Sequence, residues 1–417
     1  MAAWLCLVIT LASGTLLRYQ WTGHSAPWFN SQYLLHAHSH VALLGWAFLG
    51  IFGVIYATAE RPTEPGGDQA LTGHRRGEHR AGSMQLLGEG GLLALILLMT
   101  LAFLLEGYAF WSILLSMLHI LISFVLIGVY LTRIRSRLDH RGRPWIDLSI
   151  LWFVVATLGP LLLAGGARMG EGWIEAWVGY YLTLLFNGWL IFAVIGLLAG
   201  LRVLRVSPTV RDLMALGVLP TAVPSLMAWV EIPMGLWVGW VGSLVFGGGL
   251  VVVGWALLRR GVAGTERREV RNAAVPGPRL TLREGRGSGQ AALLASVAVA
   301  LLLVGGFTMV GTFPALAEPV AQARMLVIGF IHLQLLGLVS AALVLILYPA
   351  RPLPVGLFLA GGWVMITILL VAGGAHLLGH PIYLPLQGVL TLSGGVALAG
   401  ALLLPFESLT SREGRPG

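Results

Sequence analysis

The sequence predicts an all-α polytopic membrane protein of about twelve transmembrane helices. Three observations carry that prediction. The 417 residues are 57% hydrophobic and 11% charged, with a mean hydropathy of +0.84, a composition outside the range of soluble domains. Apolar runs recur at lengths near the roughly 20 residues that cross a bilayer as one helix. The 26 basic residues, all arginine, concentrate in alternate connecting segments, as positive charge does on the cytoplasmic side.

Taken in order, the predicted spans are 3–18, 34–57, 86–105, 109–132, 147–166, 177–200, 211–230, 236–258, 291–313, 325–349, 353–375 and 383–405, a single membrane domain over 1–417. With both termini inside, 23 of the 26 arginines lie in inner segments and only Arg18, Arg168 and Arg324 lie outside. The orientation and the count support each other, because one miscounted span would scramble the alternation. This places the chain in a bacterial inner membrane with cytoplasmic termini. The net charge of +8 is then a topology signal, and it calls for the lipid bilayer rather than nucleic acid as partner.

The first run lacks a basic leader and reads as a retained helix. It holds the single cysteine, Cys6, which excludes an internal disulfide and a thiolate cluster. Segments 60–85 and 259–290 are rich in Gly, Pro and Arg without apolar periodicity, and they predict flexible cytoplasmic loops. His74, His79 and His140 lie among inner arginines and read as solvated.

The second run opens on LLHAHSHVALLGW, which sets His36, His38 and His40 into the outer end of a membrane helix. Imidazole beside lipid is costly unless something binds it. At about 100° per residue, His36 and His40 share a face and His38 points nearly the opposite way. Three imidazoles in five residues favour an axial ligand for heme or a transition-metal ligand over an interfacial polar cap. The tenth run, GFIHLQLLG, carries His332 and Gln334, with His332 at nearly the depth of His38. A macrocycle held between His38 and His332 is the expectation, with His40 the next choice in the cluster.

Other polar residues have readings on both sides. Thr183, Asn187 and Trp189 in the sixth run supply hydrogen-bond donors to a bound group, or bridge helices. His119, at mid-membrane in the fourth run, reads equally as a hydrogen-bonded core residue or as an unassigned ligand. His376 and His380 stand at the outer end of the eleventh run, where exposed histidines usually bind nothing. Glu89 near the inner face reads as a helix-start carboxylate before it reads as a proton donor.

On these residues the chain resembles the heme-copper oxidase superfamily, as a divergent relative of subunit I of terminal oxidases and of the large subunit of nitric oxide reductases. The likeness covers the twelve-helix plan, the HSHVALLGWAFLGIFGVIY segment, FNGW and HLQLLG. It implies a subunit I-like bundle in which a histidine of the second helix and one of the tenth hold a low-spin heme. The chain departs from the family at the copper site: its sixth and seventh runs contain no histidine, and its tenth has His332 and Gln334 where the family has two histidines.

The expected function is therefore a b-type heme (iron) membrane protein without copper, in electron transfer or in binding or sensing a diatomic gas, O2 or NO. His38 and His332 are the expected metal ligands, His36, His40, Asn187 and Gln334 complete the cofactor-binding set, and a cytochrome or quinol is the expected electron donor. One alternative is an active oxidase- or NO reductase-like enzyme whose metal site joins His36 or His40 to His119, which requires the second and fourth helices to converge. Another is a cofactor-free multi-pass transporter, for which Pro220 and Pro224 supply the only interruption and no charged pair lies at mid-membrane.

Overall fold

The computed structural model describes residues 1–23, 29–59, 75–166, 169–263, 288–348, 351–380 and 386–405, with the side chains of 75–89, 164–165 and 260–263 excepted. Every regular element among them is helical, as a chain in hydrocarbon requires, since a helix satisfies its own backbone polar groups. Twelve principal helices follow in chain order. They are α1 Ala2–Gln20, α2 Ser31–Ala59, α3 Arg75–Glu106, α4 Phe110–Arg137, α5 Arg143–Leu163 and α6 Glu171–Gly200. Then come α7 Pro208–Thr221, α8 Gly235–Arg259, α9 Ser288–Gly311, α10 Arg324–Leu347, α11 Pro352–Leu377 and α12 Leu386–Leu403.

Ten of these are long and apolar enough to cross a membrane; α3 and α7 are the exceptions. In α3 the described apolar stretch is Gly90–Glu106. The helix nevertheless begins at Arg75, well before the expected start at 86, so part of the predicted loop 60–85 is helical. Arg, Glu, Ala, Met and Gln in that stretch are good helix formers. The remainder of that loop and most of 259–290 lie outside the described residues, as do His74 and the side chains of His79 and Glu89. In α7 the expected continuous span breaks after Thr221 and resumes as the short helix Val223–Leu226. Pro220 and Pro224 account for the break, because each lacks an N–H for the helical ladder and crowds the preceding turn.

The described residues divide into two compact units, one within Met1–Arg137 and the other within Leu138–Arg268 and Arg283–Gly417. In the first, α1 packs along the N-terminal half of α2, α3 lies against α2, and α4 lies against α3. Asn30 starts α2 by accepting hydrogen bonds from the N–H groups of Gln32 and Tyr33, two donors that the first turn leaves unpaired. Arg18, near the C-terminal end of α1, is buried with its guanidinium over the Trp21 ring at 4.9 Å, a stacking that offsets part of the cost of burying its charge. In the second unit, α5 packs on α6, α7 on α8, α8 on α9, α9 and α11 on α10, and α11 on α12.

Four helices carry a π-helical segment, and three of these lie within the most buried spans. In α2 it is Val41–Ala47, in α6 Leu184–Leu190 and in α10 Leu333–Ser340; the fourth, Tyr130–Ile134, is in α4. Such segments insert one residue into the helical ladder and rotate the side chains that precede them against those that follow.

Candidate functional site

The residue immediately before each of the three buried π segments is His40 in α2, Thr183 in α6 and His332 in α10. A glycine stands five residues further on in every case: Gly45, Gly188 and Gly337. His40, Thr183 and His332 thus occupy equivalent positions in three versions of one local motif: HVALLGW, TLLFNGW and HLQLLGL. The periodicity was legible as H/T-x4-G, yet the apolar filler between the marked residues conceals it. By this equivalence the counterpart of His332 in α2 is His40.

The histidines of α2 separate as their 100° spacing expects. His38 turns to α1, where its Nδ1 lies 3.0 Å from the Thr10 carbonyl and 3.2 Å from Ser13 Oγ. Its ring lies close against Gly14, where a Cβ would approach Cε1 to 2.8 Å, so glycine leaves it room. His36 and His40 turn to α3. The His40 ring stacks on Phe103 at 3.9 Å between centroids, and His36 meets Tyr108 edge-on at 4.5 Å. Tyr108 lies in the turn after α3, and burial raises its phenol above the usual range.

Two of these imidazoles have one and the same local preparation. His40 Nδ1–H donates to the His36 carbonyl at 2.9 Å, and His332 Nδ1–H donates to the Ile328 carbonyl at 2.8 Å. A carbonyl only accepts, so each ring carries its proton on Nδ1 and its lone pair on Nε2. That tautomer, with the distal nitrogen anchored to a carbonyl, is the one a metal-ligating histidine uses. Gln334, inside the α10 π segment, is 3% exposed and its Oε1 has no hydrogen-bond partner among the described residues. A buried, unpaired amide oxygen is costly in apolar surroundings and suits a site whose occupant brings a donor. Imidazole with a lone pair on Nε2, in uncharged surroundings, is a donor set compatible with heme iron.

The remaining sequence-predicted residues sort differently. Asn187 Nδ2 donates to Thr221 Oγ1 at 3.3 Å, and Thr221 Oγ1 donates to the Val218 carbonyl at 2.6 Å, so Asn187 ties α6 to α7. His119 of α4 reaches α2, as the alternative enzyme reading requires, but it does so beside Phe48, with ring centroids 4.8 Å apart. No group of three or more His, Cys, Asp or Glu side chains gathers as a metal cluster among the described residues. His376 and His380 are exposed at and just beyond the C-terminal end of α11, and His140 is exposed beside Asp139 at 3.7 Å.

The fold and these helices define the chain as a polytopic α-helical membrane protein. No protein-family model matches it, and no curated protein matches its sequence significantly.

Proposed function

We propose that the chain is a twelve-span b-type heme protein of the bacterial inner membrane, related to subunit I of the heme-copper oxidases, with His40 and His332 as its iron ligands. The single observation that carries this reading is their equivalence: each histidine precedes a π segment and is held in the Nε2-ligating tautomer by its own helix. His38, the residue the sequence favours, is engaged instead by Thr10, Ser13 and Gly14 of α1. His40 and His332 would hold the heme, and held by two imidazoles it would supply one-electron transfer more readily than gas binding.

Around it the chain's own residues have defined tasks. The His36 and Ile328 carbonyls set the tautomers, Phe103 covers one face of the His40 ring, and Gln334 offers an acceptor beside His332. A cytochrome or quinol is the proposed donor of electrons, and the proposal includes no copper. Dithionite-reduced minus oxidised absorption spectra and metal analysis of the protein purified from membranes test this reading. Sharp reduced bands of a six-coordinate b heme, with one iron per chain and no copper, are expected. Protein that is folded, monodisperse and colourless after expression with added heme precursor rejects it.

A further inference from the structure

The π segment of α2 changes the bonding of one particular carbonyl. In a regular α-helix the Phe48 N–H would reach the Leu44 carbonyl; here it is directed to the carbonyls of Leu43 and Gly45. Facing this stretch is His119 of α4, fully buried, with its ring set edge-on against Phe48. The Leu44 carbonyl is the backbone group that acts on this imidazole. Nδ1 of His119 has Ser123 Oγ at 3.5 Å, the outer limit of a hydrogen bond, and that hydroxyl already donates to the His119 carbonyl at 2.8 Å. Nε2 is buried with no close partner among the described residues. In apolar surroundings a leftover donor and a passed-over acceptor in one small volume are stabilised by pairing with each other.

The second unit contains a fully formed parallel. In α10 the Ala341 N–H is directed to the Leu338 carbonyl rather than to that of Gly337. Ser296 Oγ of α9 donates to the Gly337 carbonyl at 3.0 Å and itself accepts from Trp363 Nε1 of α11 at 2.9 Å. A donor borrowed from a neighbouring helix thus serves the π segment that follows His332.

We infer that His119 is the positioning residue of α2: its Nε2–H takes the Leu44 carbonyl, stabilises the π segment, and so fixes the rotation at which His40 is presented. The functional consequence rests on the proposed heme reading; the structural one does not. His119 is then a donor to backbone rather than the metal ligand that the enzyme alternative makes it.

Cys6, the chain's only cysteine, supplies a probe independent of heme. It is fully buried on α1 against Gly45 of the π segment, where a Cβ on the glycine would come within 2.9 Å of Sγ. Cys6 alkylation by N-ethylmaleimide is measured in purified full-length protein for wild type, His119→Met and His119→Gln. His119→Met keeps the volume without a donor, and about tenfold faster alkylation is expected, the population change that about 1.4 kcal/mol from a lost buried hydrogen bond produces. His119→Gln places an amide N–H near the position of Nε2, and it should alkylate at close to the wild-type rate.

In heme-loaded protein His119→Met should also shift the low-spin EPR signal, and His119→Gln should restore it. Unchanged alkylation in His119→Met overturns the inference, as does a His119→Gln variant that behaves like Met. If His119→Met does not purify as monodisperse protein, His119→Asn replaces it, its amide being too short to reach; slow alkylation there overturns the inference. Wild type without heme rejects the proposed function and leaves the thiol comparison standing.

Discussion

His40 Nδ1 lies 2.9 Å from the carbonyl oxygen of His36, one turn back in the same helix, and donates to it. His332 repeats the relationship with Ile328. His38 has the same tautomer but is anchored to a different helix, α1. The histidines of α2 are therefore distinguishable by substitution. His40→Ala and His332→Ala should each remove the low-spin heme spectrum, while His38→Ala should keep its band positions. Loss in His38→Ala with retention in His40→Ala would return the ligand to His38.

The contact between Gly14 and His38 predicts a stability effect without a cofactor effect. Gly14→Ala sets a Cβ 2.8 Å from His38 Cε1, and the ring has little room to yield because Nδ1 is bound to Thr10. Overpacking of this kind costs about 1–3 kcal/mol. A lower midpoint of thermal aggregation is expected, with heme per folded molecule unchanged. Normal thermal stability would show that α1 and α2 separate easily at this point.

Much of this architecture was legible in the sequence because its physics is one-dimensional. Length and hydropathy marked the ten long spans; the span expected over 211–230 was continuous, although Pro220 and Pro224 stand where α7 breaks. The opposed faces of His38 and of the His36–His40 pair followed from helical spacing alone. The π segments did not. Over seven residues such as VALLGWA, every position is apolar or small, so no polar face records whether the turn holds 3.6 residues or more. The preference for His38 over His40 rested on the spacing to the following glycines and Tyr56, compared with the second helix of the oxidase superfamily. The early start of α3 was missed for a related reason: glycines and arginines resemble a loop, yet RRGEHRAGSMQLLG forms the polar extension of an apolar helix.

The bond from Asn187 to Thr221 predicts the behaviour of the α6–α7 pair. Asn187→Ala should destabilise the protein by about 1 kcal/mol, the ordinary size of an interhelical hydrogen bond in a membrane, and should leave the heme spectrum intact. Copper is not expected in either form, since neutral Thr183 and Asn187 are poor substitutes for nitrogen ligands. Stoichiometric copper in the wild type, lost in Asn187→Ala or Thr183→Ala, would contradict both expectations.

The number of spans is decided at α3 and α7, the two helices that fall short as continuous apolar spans. If both cross, residues 138–142 and 201–207 are cytoplasmic, and Arg133, Arg135, Arg137, Arg141, Arg143, Arg202, Arg205 and Arg211 lie on the inner side. If neither crosses, the C-terminus is still inside, but all eight of these arginines are transferred to the outer face, against the charge rule. A reporter at the C-terminus is therefore uninformative between twelve spans and ten. Although the apolar part of α3 covers only about 25 Å at 1.5 Å per residue, the helix continues to Arg75, and arginine side chains near a helix end extend to the interface. The interruption of α7 at Ala222 resembles the broken helices tolerated where neighbouring helices satisfy the backbone, and α8 packs along it. Fusions of a reporter active only in the periplasm should be inactive after His140 and after Val206, and active after Tyr108 and after Glu231. Activity after His140 and after Val206 with none after Tyr108 would establish ten spans, the fusion after Glu231 being active in either topology and serving as the control.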